Sequence, residues 1–145
     1  MKKALHRYCW NMGLLHNVKM TGFVKDPSPW LNVFDINVNC SIGTETASLA
    51  LSEGMSLGIP SVVSDFGGNP YMVREDENGL IYPCGRAEIL AKQIERIATD
   101  PSLAHRLSVG ALQLFHRELN ATVMTKKYEL LYDRLVQRKR KQNNA

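Results

Sequence analysis

Residues 41–70 read Ser41-Ile42-Gly43-Thr44-Glu45-Thr46-Ala47-Ser48-Leu49-Ala50-Leu51-Ser52-Glu53-Gly54-Met55-Ser56-Leu57-Gly58-Ile59-Pro60-Ser61-Val62-Val63-Ser64-Asp65-Phe66-Gly67-Gly68-Asn69-Pro70, and this order decides the fold. A loop over 41–45 leads into a helix over 46–57, which Gly58 and Pro60 end because neither residue continues a helix. Ser61–Asp65 is then a short β-branched run closed by Gly67-Gly68, the pattern of a strand buried on both faces of a parallel sheet.

Working outward, residues 2–13 carry Ala4, Leu5, Tyr8, Cys9 and Met12 at helical spacing, with Gly13 placed to stop the helix. Residues 17–23 alternate as a short strand, Asp26-Pro27 opens a short helix through Trp30, Leu31 and Phe34, and 36–40 form a further strand. Downstream come a short helix or turn over 69–74, a strand over 79–83, and helices over 86–99, 101–118 and 121–139. Leu103, Leu107, Ala111, Leu114 and Phe115 form one packing face, while Trp10 and Trp30 are assigned to turns and core. Strands alternating with helices require right-handed βαβ crossovers. The fold class is therefore α/β: a Rossmann-like parallel sheet of about four strands, helices on both faces, and a long C-terminal helix. Ligands of such sheets bind beyond the carboxyl ends of the strands, which directs attention to the loops at 22–27, 41–46 and 65–70.

At 145 residues the chain is one domain, too short for two α/β domains with a cleft between them. Its 44% hydrophobic and 22% charged content is that of a globular protein and excludes collagen-like and low-complexity classes. The formal charge of +4 is misleading, because Arg134, Arg138, Lys139, Arg140 and Lys141 crowd the end of the chain, leaving 1–133 with one more acid than base. The expected organisation is a body over 1–133 and a basic, flexible tail over 134–145. A nucleic-acid partner is not expected, since the body has no basic face; weak attraction of the tail to an anionic membrane is the minor alternative.

Cys9, Cys40 and Cys84 are far apart, and no secretory segment follows Met1-Lys2-Lys3, so reduced, buried thiols and a cytoplasmic location, at most peripheral to the inner membrane face, are expected. His6, His16, His105 and His116 have no ligand spacing, and no metal site is expected.

Glu45 and Glu53 carry the chemistry. On one helix, eight residues rise about 12 Å, with the two side chains about 80° apart around the axis, so both carboxylates can face one elongated ligand. Between them, Thr46, Ala47 and Ser48 offer helix-start amides for an anion. An acceptor for sugar hydroxyls, amides for phosphate and an acceptor for ribose hydroxyls are what a nucleoside-diphosphate sugar requires. The plainer alternatives are a glutamate favoured by the helix dipole and a solvated helix residue. Gly67-Gly68 fits either close approach of a ligand or a tight turn.

The pair of glutamates with seven residues between them, the following Met55, the Gly58-Ile59-Pro60 strand entry and the Gly67-Gly68-Asn69-Pro70 loop resemble the donor-site signature of family 4 (group 1) glycosyltransferases of the GT-B fold. The resemblance runs from Asn17-Val18 and Gly22-Phe23 through Asn78-Gly79-Leu80 to the closing helices. It implies that Glu45 lies near the donor sugar as the catalytic acidic residue and that Glu53 binds the ribose. It also implies that the amides of Thr46, Ala47, Ser48 and Leu49 hold phosphate and sugar oxygens, and that Phe23, Val24 and Lys25 contact the base. Thr46-Ala47-Ser48 stands where relatives often carry Gly-Phe-Gly. No Asp-x-Asp occurs, so the metal-dependent GT-A style of diphosphate binding lacks its ligand; the resemblance implies a retaining, metal-independent enzyme with a nucleoside-diphosphate sugar as substrate and no cofactor.

By the same resemblance, two βα units, the Arg and Lys that neutralise the leaving diphosphate, and an N-terminal acceptor domain are missing. The chain is then an N-terminally truncated donor-binding part whose open sheet edge invites self-association and whose last helix resembles one that crosses towards the other domain. The alternative is a noncatalytic remnant, or a nucleotide-binding module completed by a separate half.

Overall fold

The computed structural model describes residues 2–43 and 46–143. Among them the sheet has three parallel strands in chain order: β1 (Asn37–Asn39), β2 (Ser61–Ser64) and β3 (Gly79–Tyr82). Val38 lies beside Val62 and Val62 beside Leu80, so the strands begin and end together and their carboxyl ends share one rim.

Every residue of β2 is buried, as its unbroken run requires. Alternate side chains leave a strand on opposite faces, and Val62 and Val63 accordingly enter different cores. Val63 packs with Leu51 and Met55 of α3 (Leu49–Ser56), with Met72 at the end of α4 (Asn69–Met72) and with Val73 after it. Val62 packs with Leu80, Tyr82, Ile97 of α5 (Ala87–Thr99), and Leu103 and Leu107 of α6 (Pro101–Leu114). Helix α6 serves both cores, because Ala111 and Leu114 join the first. The packing face expected from Leu103 to Leu114 is present, with Phe115 partly buried beside it.

Two polar residues set the C-terminal helices. The Asp100 carboxylate accepts the Ser102 and Leu103 amides at 3.0 Å and starts α6. Asn120 accepts the Val123 amide at 3.0 Å and donates to the Phe115 and His116 carbonyls, so it closes the π-helical turn Phe115–Leu119 and opens α7 (Ala121–Asn143). Arg117 and Arg74 both bond Glu118 at 3.0 Å and hold its carboxyl below the usual range.

Three expectations are corrected. Residues 17–23 form no strand: Gly22 turns at φ +71° and no described strand lies alongside to supply ladder bonds. The sheet therefore has three strands rather than about four. Helix α1 (Lys2–Asn11) buries only Cys9, and Trp10 is 69% exposed rather than in the core. Cys40 is exposed and Cys84 half-buried, so only one thiol of the three is in the interior. Helix α7 continues through the basic segment to Asn143; from Met124 to Gln142 it is exposed, including the stripe of Met124, Tyr128, Leu131, Tyr132 and Leu135. No described helix is long and apolar enough to cross a membrane.

Gly110 shows how close the packing is. A Cβ there would overlap the Glu77 carbonyl oxygen, which belongs to backbone and cannot rotate away. In an exposed helix, Gly→Ala stabilises by roughly 1 kcal/mol; here overpacking of about 1–3 kcal/mol opposes it. Gly110→Ala is expected to lower the thermal midpoint by several degrees in a calorimetric scan. An unchanged or raised midpoint would show that α6 is free to shift.

Candidate functional site

The sequence places the site at the start of α3, and the structure moves that start. The helix begins at Leu49, not Thr46, because Ser48 is its N-cap, with extended backbone at φ −78°, ψ 114°. Ser48 Oγ accepts the Leu51 amide at 3.4 Å, and its carbonyl accepts the Ser52 amide at 3.2 Å. Thr46 and Ala47 lie in a bend. The helical rise and angle between Glu45 and Glu53 thus do not apply, and Glu45 itself lies outside the described residues. Of the expected amides, that of Ser48 is taken by the Met72 thioether at 3.3 Å. Those of Leu49 and Ala50 precede the first helical bond, at exposed residues.

The rest of the 41–48 loop is held by the chain between β2 and α4. Ser64 Oγ donates to the Ser41 carbonyl at 2.9 Å, and Asn69 Nδ2 donates to Ser64 Oγ at 3.1 Å. Gly67 makes the turn at φ +61°. Gly68 has an ordinary φ of −84°, but a Cβ there would overlap the Thr46 carbonyl oxygen. The tight-turn reading applies to Gly67, and what approaches Gly68 is this chain's own backbone rather than a ligand.

Glu53 lies on the exposed flank of α3 beside a cavity of about 230 Å³. Pro27, Ser28, Leu31 and Asn32 form one wall of this cavity, and Glu53, Ser56 and Leu57 the other. Helix α2 (Ser28–Leu31) stands here because the Ser28 amide donates to the Asp26 carboxylate at 3.0 Å, a bond that also lowers the Asp26 pKa. Small-molecule sites measure roughly 300–1,000 Å³, so this space suits one part of an elongated ligand. Phe23, Val24 and Lys25 lie in the irregular segment ahead of it, with Phe23 94% exposed. The sequence reading missed Ser28 and Asn32 at this wall, and Ser64, Asn69 and Met72 behind the loop. Only the short Asp26-Pro27 helix signal pointed to the first group.

Two larger cavities, of about 580 and 540 Å³, open at the other end of the sheet, against residues 74–78 ahead of β3 and residues 34–36 and 57–60 ahead of β1 and β2. In parallel sheets, ligands sit at the carboxyl ends, so size alone does not select the site.

A family model described as Glycosyl transferases group 1 matches residues 1–100. The chain is 33% identical over 104 residues to the lipopolysaccharide core biosynthesis glycosyltransferase LpsE of Rhizobium meliloti, covering 72% of this chain and 30% of that protein. It is 26% identical over 133 residues to LpsD of the same organism, covering 92% and 38%. Among solved structures, Anabaena HepE in complex with UDP superposes with a TM-score of 0.83 at 24% identity, over 90% of this chain and 36% of that one. Sucrose-phosphate synthase from Thermosynechococcus elongatus does so with 0.82 at 25% identity, over 92% and 34%. The GT-B-like α/β fold expected from the resemblance is therefore present, and the chain spans no more than 38% of the length of any of these four proteins.

The cap at Ser48 yields a direct test. Ser48→Ala removes the acceptor of the Leu51 amide, at a cost of roughly 1 kcal/mol. Native-state hydrogen exchange should then show the Leu51 amide exchanging several-fold faster; unchanged protection would remove Ser48 as the cap.

Proposed function

The chain belongs to the group 1 glycosyl transferases, and we propose that it is the donor-binding part of a retaining, metal-independent member that takes a nucleoside-diphosphate sugar and passes the sugar to an acceptor held elsewhere in the protein. The observation that carries this reading is the arrangement along α3: amides at Leu49 and Ala50 with no partner among the described residues, then Glu53 one turn further on beside the cavity closed by α2.

Leu49 and Glu53 are four residues apart, on the same side of the helix and separated by about 6 Å of rise. A ribose and its 5′-phosphates span a similar length. Glu53 would accept hydrogen bonds from the ribose hydroxyls, and a carboxylate is a good acceptor for a diol. The Leu49 and Ala50 amides, at the positive end of the helix, would meet the phosphates. The backbone at Phe23–Lys25, ahead of α2, would meet the base. Glu45, four residues before Leu49, would lie near the sugar as the catalytic carboxylate. Gly67 and Gly68 would act on the loop rather than on the ligand, since Gly68 already packs on Thr46.

Retention and independence from metal are carried by the motif's resemblance to family 4 enzymes. Departure of a nucleoside diphosphate builds negative charge that positioned cations and amides stabilise. This chain offers amides at the site, and the cations would come from the remainder of the protein. The outer edge of β1, which pairs with no strand among the described residues, and the exposed apolar faces of α1 and α7 support a chain that works with further structure around it.

Isothermal titration with UDP and UDP-glucose, run in EDTA, tests the reading. Binding is expected without added metal. Glu53→Gln should weaken it about tenfold or more, because hydrogen bonds to a charged acceptor contribute roughly 1.5–3 kcal/mol. Failure of the wild-type chain to bind any nucleoside diphosphate or its sugar would overturn it.

A further inference from the structure

Asn69 is fully buried, and its Oδ1 has no hydrogen-bond partner. Buried polar groups without partners are rare, and each calls for an explanation. An aliphatic side chain would fill this space without leaving an oxygen unpaired, so burial alone does not account for the amide. Its other atom does. Asn69 Nδ2 donates to Ser64 Oγ at 3.1 Å, and this occupies a lone pair of a hydroxyl that could otherwise turn. The Ser64 proton is then directed at the Ser41 carbonyl, 2.9 Å away. The bonds run one way, from Asn69 through Ser64 to Ser41.

Ser41 opens the loop that carries Glu45, and the far side of that loop is held from the same segment. Met72 Sδ accepts the Ser48 amide at 3.3 Å, and Gly68 admits the Thr46 carbonyl. Residues 64–72 thus grip the loop on both sides of Thr44-Glu45.

We propose that Asn69, acting through Ser64, is a positioning residue for donor binding: it fixes the loop at Ser41 and with it the 46–49 backbone that would meet the diphosphate and sugar. This rests on the functional reading above. Glu53 and the cavity at α2 are outside the relay, so the nucleoside end of the ligand is held independently of it.

Asn69→Asp is the diagnostic variant. It is nearly isosteric, but a carboxylate has no proton to donate and takes the Ser64 hydroxyl proton for itself, which removes the donor from Ser41. Ser64→Ala breaks the relay at its centre and carries the same readout if Asn69→Asp does not fold, with folding checked by circular dichroism. Each variant is titrated with UDP and with UMP. The expected result is an increase of about tenfold or more in the dissociation constant for UDP, the size of one lost hydrogen bond to the loop, with UMP changed less than twofold. Variants that bind UDP as the wild type does, or that lose UDP and UMP in equal proportion, overturn the proposal. Where the wild type prefers another base, the same titrations use that nucleoside diphosphate and monophosphate; failure of the wild type to bind any nucleoside diphosphate overturns the functional reading and this proposal with it, so the two failures are distinct.

Discussion

Everything in this molecule hangs on the burial of β2 on both faces. Ser61–Ser64 has no accessible residue, and its two valines point into separate cores. A strand in this position must be flanked by strands on both edges and covered by helices on both faces, since each uncovered backbone or aliphatic group would lose its partner. That requirement places α3 and α4 on one face and α5 on the other, with α6 contributing to both. It also fixes where the functional loops emerge. Ser64, the last residue of β2, is simultaneously the end of the rigid scaffold and the anchor of the loop leaving β1. The last residue of the central strand is thus one bond from the loop that leaves β1.

Legibility in the sequence followed the range of the forces involved. Local chemistry was readable: Asp100-Pro101 starts α6, Gly58 and Pro60 end α3, and the β-branched run at 61–64 is a buried strand. Features set by a partner elsewhere were not. Residues 17–23 alternate like a strand, but alternation describes a face and not a neighbour, and no described strand pairs with them. Trp10 and the stripe of α7 are apolar enough for a core, yet nothing in the structure covers them. The start of α3 was misread because Thr46 and Ser48 are both acceptable caps, and only the Leu51 amide decides between them.

The candidate site divides in the same way. Glu45 and Glu53 stand out in the sequence as residue types in a spacing that suits a sugar nucleotide, and the glycine pair as a close approach or a turn. Ser64, Asn69 and Met72 did not, because serine, asparagine and methionine at buried positions carry no pattern until the groups they hold are seen. Supporting residues are therefore the part of a site that a single sequence conceals best, although they determine whether the recognisable residues are held in working geometry.

The exposed surface bears on the proposed function as well as on the fold. Ligand sites usually bury 70–90% or more of a small molecule. The space beside Glu53 is about 230 Å³, and Leu49 and Ala50 are exposed residues. On the proposed reading this chain forms one wall of a donor site, rigid in its floor and open on the side where the sugar would react. The apolar faces of α1 and α7 and the free edge of β1 need cover for reasons of solubility alone. A single addition of structure that covered them and closed the cleft would meet both demands, which is why the unsatisfied surface and the half-formed site are best understood as one feature.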